Sequence, residues 1–209
     1  MKRSVLGGLC AALVLLSGCA LFQSGILYEE TWSDPNTTAW TIGNTDYANK
    51  WIEGGRYHVL VKQATSVLYW NASEGPFGNA QIDIDVRHEA GTDNLSTGGV
   101  LFRLTDIDNT YAFEVSPAGT YRIGKWVANA WTAIVAWTPS PAIHTGTGDN
   151  HLTVIADGTA LTFLVNQTQV TELTDSSLPS GRVGVIVTAF SNDVDVHESF
   201  DNLVVRELK

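Results

Sequence analysis

The stretch from Gln81 to Glu89, QIDIDVRHE, carries acidic residues at alternate positions. Successive side chains of a β-strand point to opposite faces, so Asp83 and Asp85 share one face and the intervening apolar residues share the other. Two carboxyl groups on one face can act together as an acid and a base in bond cleavage. They can also form the solvated side of a half-buried strand, with Arg87 balancing their charge. We interpret this face as solvated and the strand as structural.

The elements that would position these residues are predicted to be short strands separated by turns. Outside the N-terminal segment, no stretch of ten or more residues shows a helical apolar rhythm, and Asp157-Gly158 is a strong hairpin signal. Short strands at regular spacing indicate an all-β fold, an antiparallel sandwich or a barrel. The segments with strand character are Ile26–Trp32, Arg56–Lys62, Ser66–Asn71, Ala80–His88, Gly99–Thr105, Thr110–Ser116, Thr120–Val127, Trp131–Trp137, His151–Ala156, Ala160–Asn166, Gln169–Thr174, Arg182–Ala189 and Ser199–Arg206.

The N-terminal segment predicts export from a bacterial cell. Lys2 and Arg3 precede an apolar run from Val5 to Leu16, which is shorter than the roughly 18 residues that a membrane-spanning helix needs. The run ends in LSGC, which resembles a bacterial lipobox and implies cleavage before Cys19 with lipid attached to its thiol. The alternative is an ordinary secretory signal in which Cys19 is incidental.

We therefore expect a lipoprotein signal peptide over residues 1–18, a lipidated tether over residues 19–25 and one domain over residues 26–209. The expected location is the cell envelope, at the outer membrane or cell surface, with membrane contact through the lipid only. Without Lys2 and Arg3, 10 of the 12 basic residues remain against 22 acidic ones, a formal net charge of −12. Such a charge repels phosphate backbones, so we expect no nucleic-acid partner, and we expect a monomer.

Three runs of the sequence form a recognisable pattern, namely NTYAFEVSPAGTYRIGKW, SGRVGVIVTAF and FDNLVV. They resemble concanavalin A-like lectin/glucanase domains, in particular the laminin-G-like and 3-keto-disaccharide hydrolase group, and the resemblance extends from ETWSD to FDNLVV. It implies a jelly-roll β-sandwich of two antiparallel sheets, with ligands bound on the concave face or rim. Asn166-Gln167 stands where such domains commonly have Asn-Gly at a hairpin, which leaves the shape of that turn open.

Family 16 glycoside hydrolases of this fold carry a nucleophilic Glu, an Asp and an acid/base Glu on one strand. The resemblance places Gln81 at the nucleophile, Asp83 at the helper and Asp85 at the acid/base. A glutamine cannot form a glycosyl ester, so retaining chemistry fails at its first step. As an inverting pair, Asp83 and Asp85 would lie about 6.5–7 Å apart, but both would project from one strand instead of flanking the scissile bond. The pattern therefore predicts no catalytic residue.

Tryptophans near one hairpin are the candidate ligand-binding residues. Trp126 and Trp131 flank the turn that ends at Ala130, and flat aromatic rings stack on the apolar faces of sugars. Arg122 and Arg103 are the candidate polar partners. The alternatives are core packing for the tryptophans and cross-strand ion pairs for the arginines.

A structural calcium ion is the one cofactor that the sequence suggests. Carboxylate oxygens suit Ca²⁺, and the resemblance places such an ion between the first and last strands, where Glu30 and Asp201 lie. The turn from Asp106 to Asn109 is a second oxygen-rich loop, although acidic and amide residues also serve simply as turn formers.

We therefore expect a lipid-anchored cell-surface module that binds a ligand, most simply a carbohydrate, without cleaving it. One alternative is a glycan-degrading hydrolase of the same fold, the only enzyme class that the sequence suggests. The other is a structural surface module with protein partners. An exposed line of aromatic side chains would favour sugar binding, and a flat apolar patch would favour a protein partner.

Overall fold

The computed structural model describes residues 25–36, 39–70, 74–90, 96–192 and 195–208. These residues form fifteen β-strands and no helix, and so this part of the chain has no helix that could cross a membrane. The predicted signal peptide and Cys19 lie outside the described residues. The strands are β1 Ile26–Glu30, β2 Gly43–Asn44, β3 Ala48–Glu53, β4 Arg56–Val61, β5 Ser66–Trp70, β6 Ala80–Ala90, β7 Ser96–Asp106, β8 Asn109–Ser116, β9 Thr120–Val127, β10 Ala130–Pro139, β11 Asp149–Asp157, β12 Ala160–Val165, β13 Thr168–Thr174, β14 Arg182–Ala189 and β15 Val196–Glu207.

The strands form two antiparallel sheets that pack face to face. The first sheet has nine strands in the order β13-β12-β11-β6-β15-β4-β3-β2, with β1 also paired to β15. The second sheet has six strands in the order β10-β9-β8-β7-β14-β5. The predicted two-sheet antiparallel β-sandwich is therefore confirmed.

Alternation along the strands divides each sheet into an inward and an outward face. On β6, Ile82 and Ile84 are buried in the core between the sheets, so the acidic side chains between them point outward. On β14, Val185 faces the same core, whereas Ile186 belongs to a small apolar cluster on the outward face of the second sheet. Apolar residues on both faces of β14 fit its place between β7 and β5.

Two hairpins of the first sheet can be compared with the turns that the sequence predicts. Asp157 and Ala160 face each other where β11 meets β12, and Gly158 has a φ of 55°, so the Asp-Gly hairpin is confirmed. Between β12 and β13, Asn166 and Gln167 have φ values of 49° and 67°. Positive φ at both central residues is the requirement of a type I′ hairpin, so this turn keeps the backbone form that Asn-Gly usually adopts.

Candidate functional site

The outward face of the first sheet contains a groove of about 640 Å³. Four adjacent strands build it, because β12, β11, β6 and β15 are neighbours in the sheet. Alternate residues of each strand point into the groove, which mixes polar and apolar side chains. The lining residues are Gln81, Asp83, Asp85, His151, Thr153, Ile155, Leu164, Gln167, Asn202, Val204 and Arg206.

Asp83 lies at the centre of this groove and is only 6% exposed. Its carboxylate accepts hydrogen bonds from Thr153 Oγ1 at 2.7 Å and from Gln81 Nε2 at 2.9 Å. It also pairs with the guanidinium of Arg206. Burial acts to raise the pKa of Asp83, but hydrogen bonds from His151, Thr153 and Gln81 outweigh it and the pKa is lowered. Asp83 is therefore ionised at neutral pH.

His151 bridges the two aspartates of β6. Its Nδ1 lies 2.6 Å from Asp85 Oδ1, and its Nε2 lies 3.5 Å from Asp83 Oδ1. Hydrogen bonds to Asp83 and then Asp85 raise the pKa of His151 to about 9. The imidazole is therefore protonated at neutral pH, and both of its nitrogens donate.

Asp85 is the second carboxylate of the cluster. It accepts a hydrogen bond from Asn202 Nδ2 at 2.8 Å in addition to that from His151. Burial acts to raise the pKa of Asp85, but the hydrogen bonds from His151 and Asn202 lower it. Two carboxylates therefore face one imidazolium and, at Asp83, one guanidinium, so the four side chains carry no net charge together.

This arrangement corrects the interpretation of the QIDIDVRHE face as solvated. Asp83 is buried, and Arg87 pairs with Asp149 of β11 instead of balancing the charge of its own strand. Neither Asp83 nor Asp85 holds a proton at neutral pH. The proton of this cluster lies on His151 instead, between the two carboxylates.

An aromatic group lies on β3, β4 and β15 of the same sheet, beside the groove. The Trp51 ring stacks on His58 with centroids 5.0 Å apart and an angle of 10° between the planes. His58 Nδ1 lies 3.0 Å from His197 Nε2, and burial followed by the neighbouring His58 lowers the pKa of His197. Three strand spacings separate Trp51 on β3 from β6, which is roughly 14 Å at about 4.8 Å per strand. Trp51 therefore lies on the same face of the first sheet as the groove, at some distance from it.

The structure brings three of the predicted ligand-binding residues together, but on the second sheet. Trp126 and Trp131 are cross-strand partners on β9 and β10 with ring centroids 4.2 Å apart. Both are partly buried against the apolar cluster that contains Ile186. Arg122 lies over the Trp131 ring at 4.9 Å. These side chains lie on the opposite side of the sandwich from the groove, and their role in binding stays a prediction.

Arg103 is different, and the structure argues against it as a ligand-binding residue. It is 2% exposed and donates hydrogen bonds to the carbonyl oxygens of Leu178 at 3.1 Å and Gly158 at 2.7 Å. Its guanidinium therefore ties β7 to two loops. A side chain enclosed in this way offers no surface to a ligand.

The two predicted calcium ligands have local hydrogen-bond roles. Glu30 Oε1 accepts the backbone N–H of Trp32 at 2.8 Å, and Asp201 Oδ1 accepts that of Asn202 at 2.7 Å. In the predicted second loop, Asp106 Oδ1 accepts the backbone N–H of Asp108 at 2.9 Å. Across the described residues, no group of three or more His, Cys, Asp or Glu side chains has the arrangement of a metal site.

Sequence reasoning missed most of the groove. His151, Thr153 and Arg206 come from strands far from β6 in the chain, and they meet Asp83 only because β11 and β15 flank β6. Alternation alone shows that His151 and Thr153 share a face, opposite to Leu152 and Val154. The pattern does not show which strands become neighbours or in which register.

Comparison with known proteins gives a family match over most of the chain. The family model described as a 3-keto-alpha-glucoside-1,2-lyase-like domain matches residues 28–203. No curated protein matches the chain.

Several solved structures share the fold at low sequence identity. The carbohydrate-binding module CBM66 from Bacillus subtilis has a TM-score of 0.63 and 20% identity, covering 82% of this chain and 98% of that one. A prokaryotic β-1,3-1,4-glucanase (lichenase) from a mouse hindgut metagenome has a TM-score of 0.64 and 8% identity, covering 87% and 99%. The catalytic domain of an endo-1,3-β-glucanase (laminarinase) from Thermotoga petrophila has a TM-score of 0.61 and 10% identity, covering 89% and 98%. The predicted concanavalin A-like jelly roll is confirmed.

Proposed function

The chain belongs to the family of 3-keto-alpha-glucoside-1,2-lyase-like domains, and we propose that it is a carbohydrate-binding module that holds a glycan in the first-sheet groove without cleaving it. The observation that carries this proposal is the neutral cluster of Asp83, Asp85, His151 and Arg206. These side chains form fixed hydrogen-bond donors and acceptors in an open groove. The similar structures support a carbohydrate ligand, since they include a carbohydrate-binding module and two glucanases.

The chemistry of the lining matches that of an uncharged sugar. Sugar hydroxyls both donate and accept, so they can bind to the carboxylate of Asp85 and to the guanidinium of Arg206. The apolar C–H faces of the rings can pack on Ile155 and Leu164 in the same groove. Trp51 adds an aromatic surface farther along the sheet. Because the charges of the cluster cancel, we expect neutral glycans to bind better than acidic ones.

Affinity electrophoresis and calorimetric titration test this function. The probes are neutral polysaccharides that include β-1,3-glucan and β-1,3-1,4-glucan, with an acidic polysaccharide for comparison. We expect Arg206→Gln to weaken binding of a retained glycan at least tenfold, since it removes a charged donor that a neutral amide replaces poorly. Glu207→Gln, on the next residue of the same strand, is the matched control and should bind normally. The proposal is wrong if no neutral glycan binds, or if Arg206→Gln binds as tightly as the unmodified protein.

Glycan cleavage in the same groove is the second candidate function. The observation that favours it is the hydrogen bond between His151 and Asp85, because a carboxylate-oriented imidazolium can donate a proton to a departing oxygen. The family description names a lyase-like domain, which is consistent with such a step. Chromatography of glycans after prolonged incubation distinguishes the two functions. Products that form with the unmodified protein and not with His151→Gln would establish an enzyme and overturn the non-catalytic proposal.

We also propose that the module is anchored to the cell envelope through lipid on Cys19. The support is the lipobox-like sequence that ends at this residue. Cells grown with radiolabelled palmitate should label the unmodified protein, and Cys19→Ser should abolish the label and release the protein from the membrane fraction. An unlabelled protein that is nevertheless secreted would instead indicate an ordinary signal peptide.

A further inference from the structure

A second cavity, of about 180 Å³, lies on the outward face of the second sheet. Two aromatic side chains form its walls, Trp137 near the end of β10 and Phe190 directly after β14. They are 41% and 43% exposed, and their ring centroids lie 6.0 Å apart at an angle of 83°. Three strands separate β10 from β14 in the sheet, so the two side chains reach toward each other across the sheet surface.

A fixed guanidinium supports both rings. The Cζ atom of Arg122 lies 4.9 Å from the Trp137 centroid and 5.1 Å from the Phe190 centroid. Its Nε donates to Glu114 Oε2 at 2.7 Å. Glu114 is completely buried and accepts further hydrogen bonds from Thr97 at 2.8 Å and Thr188 at 2.9 Å. The cation is therefore held in place, and its charge is cancelled by the glutamate.

The rest of the cavity lining is small, polar and uncharged. Thr120 is partly exposed and contributes a hydroxyl group, whereas Ser96, Thr97 and Ser116 are buried in the cavity wall, and Ala118 completes the lining. Thr120 lies directly opposite Ser116 on the neighbouring strand, so their hydroxyls are close enough to bind one ligand together. The cavity thus combines two exposed aromatic faces with a hydroxyl-lined wall, at which Thr120 is partly exposed, and no uncompensated charge.

We infer that this cavity is a second carbohydrate site, which binds one uncharged sugar ring independently of the first-sheet groove. Its volume lies below the roughly 300–1,000 Å³ of pockets for drug-sized ligands, which suits a single ring or chain end. Aromatic walls bind the C–H face of such a ring, and hydroxyl groups bind its edge. A charged ligand would find no counter-charge, because the guanidinium of Arg122 is already paired with Glu114.

Titration of the ¹⁵N-labelled protein with single sugars tests the inference by NMR. The probes are glucose, galactose, mannose and N-acetylglucosamine, each at millimolar concentration, with sorbitol as an acyclic control. We expect one of them to shift the indole N–H signal of Trp137 and the amide signal of Thr120 in a saturable manner. Trp137→Phe identifies the indole signal, and Thr120→Val, which removes only a hydroxyl, should weaken binding at least threefold. Ile107→Ala alters a more exposed apolar residue elsewhere and should leave binding unchanged.

This experiment distinguishes loss of binding at the second site from loss of binding in the first-sheet groove. Arg206→Gln should leave the shifts of Trp137 and Thr120 intact even where it abolishes binding in the groove. The inference is overturned if none of the four sugars gives a saturable shift of the Trp137 indole signal. It is also overturned if the saturable shifts persist unchanged in Phe190→Ala and Thr120→Val variants that retain well-dispersed spectra.

Discussion

At the scale of single residues, Gln167 has an unfavourable backbone conformation, and its side chain lines the groove. Its φ of 67° lies in the left-handed region, which costs a residue with a side chain roughly 1–2 kcal/mol. Glycine would adopt this turn without that cost, yet the chain has a glutamine whose side chain lines the groove. Local strain retained at a binding surface is typical of functional positions.

We therefore predict that Gln167→Gly stabilises the fold and weakens glycan binding. The gain in the free energy of unfolding should be up to about 1 kcal/mol, because relief of the left-handed backbone exceeds the entropy cost of a glycine. Urea denaturation and glycan titration measure the two effects. Asn166→Gly is the matched comparison and should destabilise, since Asn166 donates to Ala142 O at 2.8 Å and accepts from His151 N at 2.8 Å. A Gln167→Gly variant that binds normally would remove Gln167 from the site.

His151 gives the groove a predictable response to alkaline pH. The pKa of His151 is raised to about 9 in the fold, so its ionisation adds stability that is fully present below the ordinary pKa of 6.5 and is lost as the pH rises through 9. His151→Gln should remove this loss between about pH 6.5 and 9, because glutamine does not titrate. Denaturation at a series of pH values measures the difference. If stability fell in parallel with pH in the unmodified protein and in His151→Gln, the contacts with Asp83 and Asp85 would not raise the pKa of His151.

At the scale of strands, Trp131 covers a gap in the second sheet. A Cβ atom at Gly124 would lie 2.2 Å from the end of the Trp131 ring, so the indole occupies the space above a glycine of the neighbouring strand. The ring also contacts Trp126 and the cluster around Leu101. A large side chain that covers a glycine in this manner stabilises strand pairing.

Trp131→Ala should therefore destabilise the protein by about 2–3 kcal/mol, somewhat less than the 3–5 kcal/mol typical of a fully buried tryptophan. Trp137→Ala, which truncates an exposed side chain of the same strand, should cost less than about 1 kcal/mol. Thermal and urea unfolding of the two variants measure the contrast. Equal losses would mean that the packing of the Trp131 ring adds nothing to stability, and would favour a role for this ring in ligand binding.

The strands themselves were largely predictable, whereas the groove was not. Alternation along β6 or β14 identifies strands and their inward faces, because it depends on neighbours two residues apart. β3 escaped prediction, since Asn49 and Lys50 have low strand propensity and only their packing in the sheet overrides it. The meeting of Asp83 with Arg206 depends on strand order and on the irregular register between β15 and β6, which no local pattern contains.

At the scale of the whole molecule, a buried carboxyl group lies between the two sheets. Glu198 points inward from β15 and accepts a hydrogen bond from His88 Nδ1 at 2.8 Å. Across the core, Gly98 of the second sheet leaves room for it, as a Cβ there would lie 2.9 Å from Glu198 Oε2. Burial, opposed by His88, raises the pKa of Glu198 to about 7. A carboxyl group between the sheets is thus poised to lose its proton near neutral pH.

The titration of Glu198 should consequently lower the free energy of unfolding as the pH rises from about 4.5 to 7. Within this window the unfolded chain has released the proton of Glu198 while the folded chain retains it. Each pH unit therefore lowers the free energy of unfolding by at most about 1.4 kcal/mol. Glu198→Gln keeps an acceptor for His88 and cannot ionise, so its stability should fall less across the same window. The difference between the two proteins isolates this group from others that titrate, such as His197. Urea denaturation at pH 5 and at pH 7 measures the difference in stability between the unmodified protein and Glu198→Gln. If this difference were the same at both pH values, Glu198 would be ionised in the folded core throughout, and His88 would have to carry the compensating charge.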